Sequence, residues 1–262
     1  MKIIDIHTHV YPDDIAAKAA GSIRTFYGTD DNQDGTCATL LRRGTEAGIS
    51  RFVILPVAIK ADKVRSINHF ITETAAANDR FIGFGTLHAA MEDAPGEVDR
   101  ILDAGLKGIK VHPDCQKFAI DDPRLFPVYE AIQGRLPVMY HMGDQRFDFS
   151  HPQRLRRVLE QFPRLQTIAA HFGGYTMYET AREYLYDTDC IMDISSSLMF
   201  MPQGTAEKYI RLYGAERMAY GTDYPLWDPV NEVRQFLNLD LTDEEKEQIA
   251  WKTASRFLNL EP

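Results

Sequence analysis

Eight short apolar runs, each followed by a longer stretch with helical spacing, set the strongest limit on how this chain folds. The runs are 2–7, 51–57, 81–87, 106–112, 136–141, 166–171, 190–195 and 217–222. They lack the apolar–polar alternation of a strand with one wet face, as expected for strands covered on both sides. Helix-like stretches occupy 36–48, 64–79, 95–105, 124–134, 152–162, 176–187, 204–214, 229–238 and 242–258. Their ends carry local signals. Pro95 and Pro152 suit first turns, Gly48 and Gly105 suit stops, and Thr242-Asp243-Glu244-Glu245 reads as a capping box. Eight strands alternating with helices in 262 residues match an α/β fold of the (β/α)8 TIM barrel type, distorted and built as one domain over 1–262. A doubly wound open sheet is the alternative. Its dinucleotide-binding form lacks support, because no G-x-G-x-x-G follows the first run.

What ends each run is as informative as the alternation. The first closes in His7 and His9, the third at His88, the fourth in Lys110-Val111-His112, the fifth at His141 and the sixth at His171. The seventh closes at Ser195 and the eighth at Asp223. In a (β/α)8 barrel the C-terminal strand ends and their loops build the active site. Six of the eight histidines therefore collect at one mouth, leaving only His69 and His151 elsewhere. His7 and His9 point the same way from one strand, displaced by roughly 7 Å, and two such imidazoles can share one metal ion.

These residues lie in motifs that resemble the amidohydrolase superfamily, in particular the branch of aminocarboxymuconate-semialdehyde decarboxylase. The motifs are Asp5-Ile6-His7-Thr8-His9, the G-x-K-x-H-P of Gly108 to Pro113, His141, Ala170-His171-Phe172-Gly173-Gly174 and Gly221-Thr222-Asp223-Tyr224-Pro225. The resemblance implies a metal held by His7, His9, His141 and Asp223, with His171 beside it. Three neutral imidazoles and a carboxylate suit Zn²⁺, and Mn²⁺ or Fe²⁺ accept a similar set. Asp223 and His171 are the expected catalytic groups, Asp223 as acceptor of a water proton and His171 as electrophile or general acid. In binuclear relatives a carboxylated lysine bridges two ions, and Lys110 sits in about that place. The G-x-K-x-H-P pattern resembles the mononuclear branch instead, so one divalent ion is expected. Lys110, His112 and His88 are then support for the site or a second ion's ligands, and Asp5 is support for the site.

Just beyond the strand ends, Tyr11, Arg146, Tyr175 and Trp227 are the candidate substrate contacts. Arg146 suits a carboxylate, which its guanidinium fork matches bidentately. The expected reaction is hydrolysis, a metal-activated water attacking an amide, ester or lactone of a small substrate. The alternative is non-oxidative decarboxylation of a small carboxylic acid with the same metal. A binding barrel without catalysis has little need of a proton acceptor beside an open metal position. The formal charge of −9 argues against nucleic acid and anionic membrane as partners, and no run of about 20 apolar residues is present. Cys37, Cys115 and Cys190 are far apart, which fits a reducing cytoplasm. A homo-oligomer is left open.

Overall fold

A computed structural model describes residues 1–29 and 33–260. Its strands are β1 (Ile4–Thr8), β2 (Arg51–Ile54), β3 (Phe81–Gly83), β4 (Gly85–Thr86), β5 (Ile109–Val111), β6 (Val138–Tyr140), β7 (Thr167–Ala169), β8 (Ile191–Asp193) and β9 (Met218–Ala219). The third apolar run thus forms two short strands, interrupted at Phe84. Strand residues are buried almost throughout, which explains why the runs show no alternation. The chain divides into two compact units, one of Met1–Ile54, Asp79–Phe81 and Ile194–Pro262, the other of Leu55–Asn78 and Ile82–Asp193.

In the first unit β1 is central. One edge pairs in parallel with β2, Ile4 against Arg51 and Asp5 against Phe52, with a register shift before Thr8 meets Ile54. The other edge meets the segment that follows β9. The N–H of Ile6 donates to the carbonyl of Tyr220 at 2.9 Å, that of Asp223 to His7 at 2.8 Å, and that of His9 to Tyr224 at 2.7 Å. Asp5 fastens the two segments together. Its fully buried carboxylate accepts from the N–H groups of His7 at 3.1 Å and Thr222 at 3.0 Å, and from the Thr222 hydroxyl at 2.6 Å.

Three helices of this unit start where side chains cap them. Thr36 accepts from the Thr39 N–H ahead of Cys37–Glu46, Asp228 from the Val230 N–H ahead of Pro229–Leu237, and Thr242 and Glu245 form the expected capping box. The last stretch is helical but not uniformly α, because a π-turn over Gln248–Lys252 separates Asp243–Glu247 from Thr253–Phe257. A helix over Asp13–Tyr27 has no counterpart in the sequence reading. Its buried residues are Ala16 and Ala20, and such small side chains leave only a weak apolar stripe.

The second unit holds a continuous parallel ladder, β4 to β5 to β6 to β7 to β8. Helices Val64–Ala77, Ala94–Asp103, Phe126–Ile132, Pro152–Gln161 and Tyr178–Leu185 alternate with these strands. Gly108 of the G-x-K-x-H-P stretch has a packing reason to be glycine. A Cβ there would stand 2.5 Å from the ring of Phe84, the residue that interrupts the third strand. Among the described residues no helix is long and apolar enough to cross a membrane.

Candidate metal centre

The first unit gathers three donors at the end of β1. His7 is buried and His9 follows the strand, their rings edge to face with centroids 5.2 Å apart. Both aim Nε2 at one atom, Oδ1 of Asp223, at 3.4 Å and 3.6 Å. Ligand atoms bound to one ion at about 2.0–2.2 Å stand roughly 3.0–3.6 Å from one another. The separations observed therefore suit a shared divalent cation, and the donor set is of the right type for one. Backbone geometry enforces the approach. Asp223 has a left-handed φ of 61°, and Gly221 leaves room for the His7 side chain, since a Cβ there would lie 2.9 Å from the Cβ of His7.

Outer partners orient these donors. Ser195 Oγ lies 3.0 Å from Nδ1 of His7. If Nδ1 carries the proton and donates it to the hydroxyl, the lone pair of Nε2 is left for an ion. Ser196 Oγ donates to Oδ2 of Asp223 at 2.6 Å, and the indole N–H of Trp227 donates to Ser196 at 2.7 Å. The polar contact of Trp227 is thus with Ser196, and its ring meets Phe200 edge to face. Tyr11 donates its N–H to the Gly35 carbonyl at 3.0 Å, and its ring lies over Gly35.

In the second unit His141 and His171 face each other, Nδ1 to Nε2 at 3.1 Å. His171 stands at φ 60°, followed by Phe172 at 53° and Gly173 at 78°. Buried Asp193 holds this left-handed run, its carboxylate accepting the His171 N–H at 3.0 Å and its carbonyl the Phe172 N–H at 2.8 Å. Tyr175 packs against both imidazoles, with centroids 6.2 Å and 5.9 Å away. Lys110 is fully buried on β5.

His112, Asp114 and His141 also bring donor atoms within 4.8 Å of one another. The rings of His112 and His141 are stacked, 4.0 Å apart and 7° from parallel. An imidazole binds an ion in its own plane, so two rings stacked in this way cannot both meet one cation. As arranged, the trio is not an ion seat. Asp114 accepts from Ser150 at 2.6 Å through Oδ2, while its buried Oδ1 has no hydrogen-bond partner. Burial pushes the Asp114 carboxyl up to about 6.

Arg146 places its guanidinium on the neighbouring Asp144, with contacts of 2.7 to 3.2 Å. His88 folds back on its own turn, accepting the Ala90 N–H at 3.1 Å. His69 is exposed beside Glu73, and His151 caps Pro152–Gln161. Four residues that contact the expected donors or their backbone, Asp114, Asp193, Ser195 and Ser196, were not singled out as site residues. The polar run Asp193-Ile194-Ser195-Ser196-Ser197 at a strand end was the available signal, whereas nothing local marked Asp114.

A family model described as Amidohydrolase matches residues 4–260. A 2-amino-3-carboxymuconate-6-semialdehyde decarboxylase of Dictyostelium discoideum is 24% identical over 252 residues, covering 77% of this chain and 67% of that protein. An uncharacterized TIM-barrel protein from Bordetella bronchiseptica superposes with a TM-score of 0.83 at 22% identity, covering 99% of each chain. A dihydroxybenzoic acid decarboxylase from Polaromonas, solved with manganese and 2-nitroresorcinol, gives 0.76 at 18%, covering 99% of this chain and 97% of that one. The TIM-barrel class expected from the alternation is therefore the fold of this chain. The expectation of hydrolysis is corrected, because the similar proteins named here for a reaction are decarboxylases. Zinc is not specified by the comparisons, since the Polaromonas enzyme was solved with manganese.

Proposed function

This chain belongs to the amidohydrolase family, whose model spans residues 4–260, and on that premise we propose that it is a metal-dependent, non-oxidative decarboxylase of a small carboxylic acid. The observation that carries the reading is the convergence of His7 and His9 on a single oxygen of Asp223. These three residues are the proposed metal ligands of the first unit. The decarboxylase names of the Dictyostelium and Polaromonas proteins support the choice of reaction. When bound, a divalent cation would supply a positive charge that fixes an anionic substrate and draws electron density from it.

The reaction needs no oxidant. The bond from carbon to the carboxylate breaks, carbon dioxide leaves, the electron pair stays on carbon, and a proton takes the vacated place. Asp223 is the proposed carrier of that proton. Its side chain is 13% exposed, so a substrate has access to it, and Ser196 holds one of its oxygens in a fixed direction. In the second unit, His141 and His171 lie within hydrogen-bond reach at 3.1 Å, a contact that supports the proposed acid–base part of His171. Tyr175 presents a ring to both, a surface suited to a planar substrate. For Arg146 to take a substrate carboxylate, that carboxylate has to displace Asp144 from the guanidinium.

The test is product analysis. Protein loaded with Mn²⁺ or Zn²⁺ is incubated with hydroxybenzoic acids and with small unsaturated carboxylic acids, and carbon dioxide is measured. Release well above that of the metal-stripped protein is expected. A fully metal-loaded protein that releases none from any of these acids overturns the reading.

A further inference from the structure

One residue beyond the end of β8 the chain places three consecutive serines, Ser195, Ser196 and Ser197, all buried. Ser196 takes a left-handed φ of 48°, a conformation that a residue with a Cβ adopts only where its surroundings compensate. What compensates here is visible. The Ser196 hydroxyl has a single proton, directed to Oδ2 of Asp223 at 2.6 Å, and it accepts the indole N–H of Trp227 at 2.7 Å. Direction is fixed along the whole chain, because an indole only donates and an ionised carboxylate only accepts. The hydroxyl between them has no alternative arrangement. Ser195 meanwhile meets His7 at Nδ1, and the Ser197 hydroxyl locks the turn by donating to the Ser195 carbonyl at 2.8 Å.

A carboxylate left to itself can turn either oxygen, or both, toward a cation. With Oδ2 engaged by Ser196, Oδ1 is the oxygen presented to His7 and His9. We propose that Ser196, held in place by Trp227, is the positioning residue that makes Asp223 a one-oxygen donor, so that the Trp227 indole senses occupancy of the ion site. This inference rests on the metal reading above and assigns Trp227 a part that lining a substrate pocket does not require. An ion drawing charge from Asp223 changes the polarisation of the hydroxyl, and through it the environment of the indole N–H. Trp251, the second tryptophan, lies elsewhere in this unit with Lys2 and Lys252 over its ring.

The experiment uses the full chain, stripped of metal, with Trp251→Phe to leave Trp227 as the sole indole emitter. Mn²⁺ is titrated while emission is recorded, and affinity is measured separately by calorimetry. A saturable change in emission with the same midpoint as calorimetric binding is expected. Ser196→Ala should weaken Mn²⁺ binding by about 10–100-fold, the usual effect of losing a partner of a metal ligand, and abolish the emission change. Ser196→Thr should restore both, since it returns the hydroxyl. If Ser196→Ala does not fold, Trp227→Phe decides by calorimetry alone, with several-fold weaker binding expected. Mn²⁺ affinity unchanged in folded Ser196→Ala or in Trp227→Phe overturns the positioning role while leaving the metal reading intact. A wild-type chain that takes up no divalent ion overturns both, so the two failures are told apart.

Discussion

Oδ1 of Asp223 lies 3.4 Å from Nε2 of His7, and the N–H of Asp223 donates to the carbonyl of that same histidine at 2.8 Å. One residue pair thus carries both the side-chain donors and a rung of the backbone ladder. The donor geometry is tied to the backbone hydrogen bonds between β1 and the segment after β9. Replacing Asp223 with Asn keeps the shape and the ladder but removes the charge. Metal content should fall by more than about 100-fold in affinity, with loss of carbon dioxide release and little change in unfolding temperature. Normal metal content in elemental analysis would show that Asp223 is not a ligand.

Gly221 faces the same histidine. A methyl group there would meet the Cβ of His7 at 2.9 Å and that of Ser195 at 3.3 Å, and His7 sits on strand backbone that yields little. Gly221→Ala should cost about 1–3 kcal/mol of stability through overpacking and reduce metal affinity as His7 is displaced. Urea unfolding and metal titration measure the two effects; wild-type values in both would refute the close-approach argument.

Asp5 predicts a purely structural loss. Asp5→Ala strands two backbone N–H groups and one hydroxyl inside the protein, for roughly 3–5 kcal/mol in total. Chemical denaturation should record a drop of that size. A loss below about 1 kcal/mol would mean that water replaces the carboxylate.

Asp114 gives a pH signature in the metal-free protein. Its carboxyl is raised from 3.8 to about 6, so between about pH 4 and pH 6 the folded state keeps a proton that the unfolded state has released. Stability therefore declines as pH rises through that window and is flat above it, by roughly 3 kcal/mol at about 1.4 kcal/mol per pH unit. Asp114→Asn has no such group and should lack this decline. Stability curves of the two proteins that run parallel from pH 4 to 7 would dispose of the idea.

His141 was proposed as a ligand from sequence resemblance alone. His141→Ala should then lower metal content, and unchanged content in elemental analysis of the folded variant would remove His141 from the ligand set.

Much of the barrel was legible because its signal is repeated. The buried strands leave eight apolar runs, and capping residues such as Thr36, Asp228 and Thr242 leave local marks. The helix at Asp13–Tyr27 was missed because its buried residues are Ala16 and Ala20. Around the candidate site, histidines stand out by type and position, so His7 and His9 were named as candidates, as was Asp223. Ser196 and Asp114 were not, because a serine or an aspartate is common in any loop. Only folding shows that one touches Asp223 and that the other buries an oxygen without a partner. The surroundings of Arg146 were not legible either. Its chemistry suits a carboxylate, and the carboxylate it meets is its neighbour Asp144.

The clamp from Asp5 to Thr222 joins positions 217 residues apart, and it has a temporal meaning. During synthesis the two histidines emerge early, while Asp223 and the serines that orient it emerge much later. At about 5–20 residues per second, the growing chain carries an incomplete donor set for many seconds. On the proposed ligand set, ion capture would therefore be a late event that follows closure of the β1 edge.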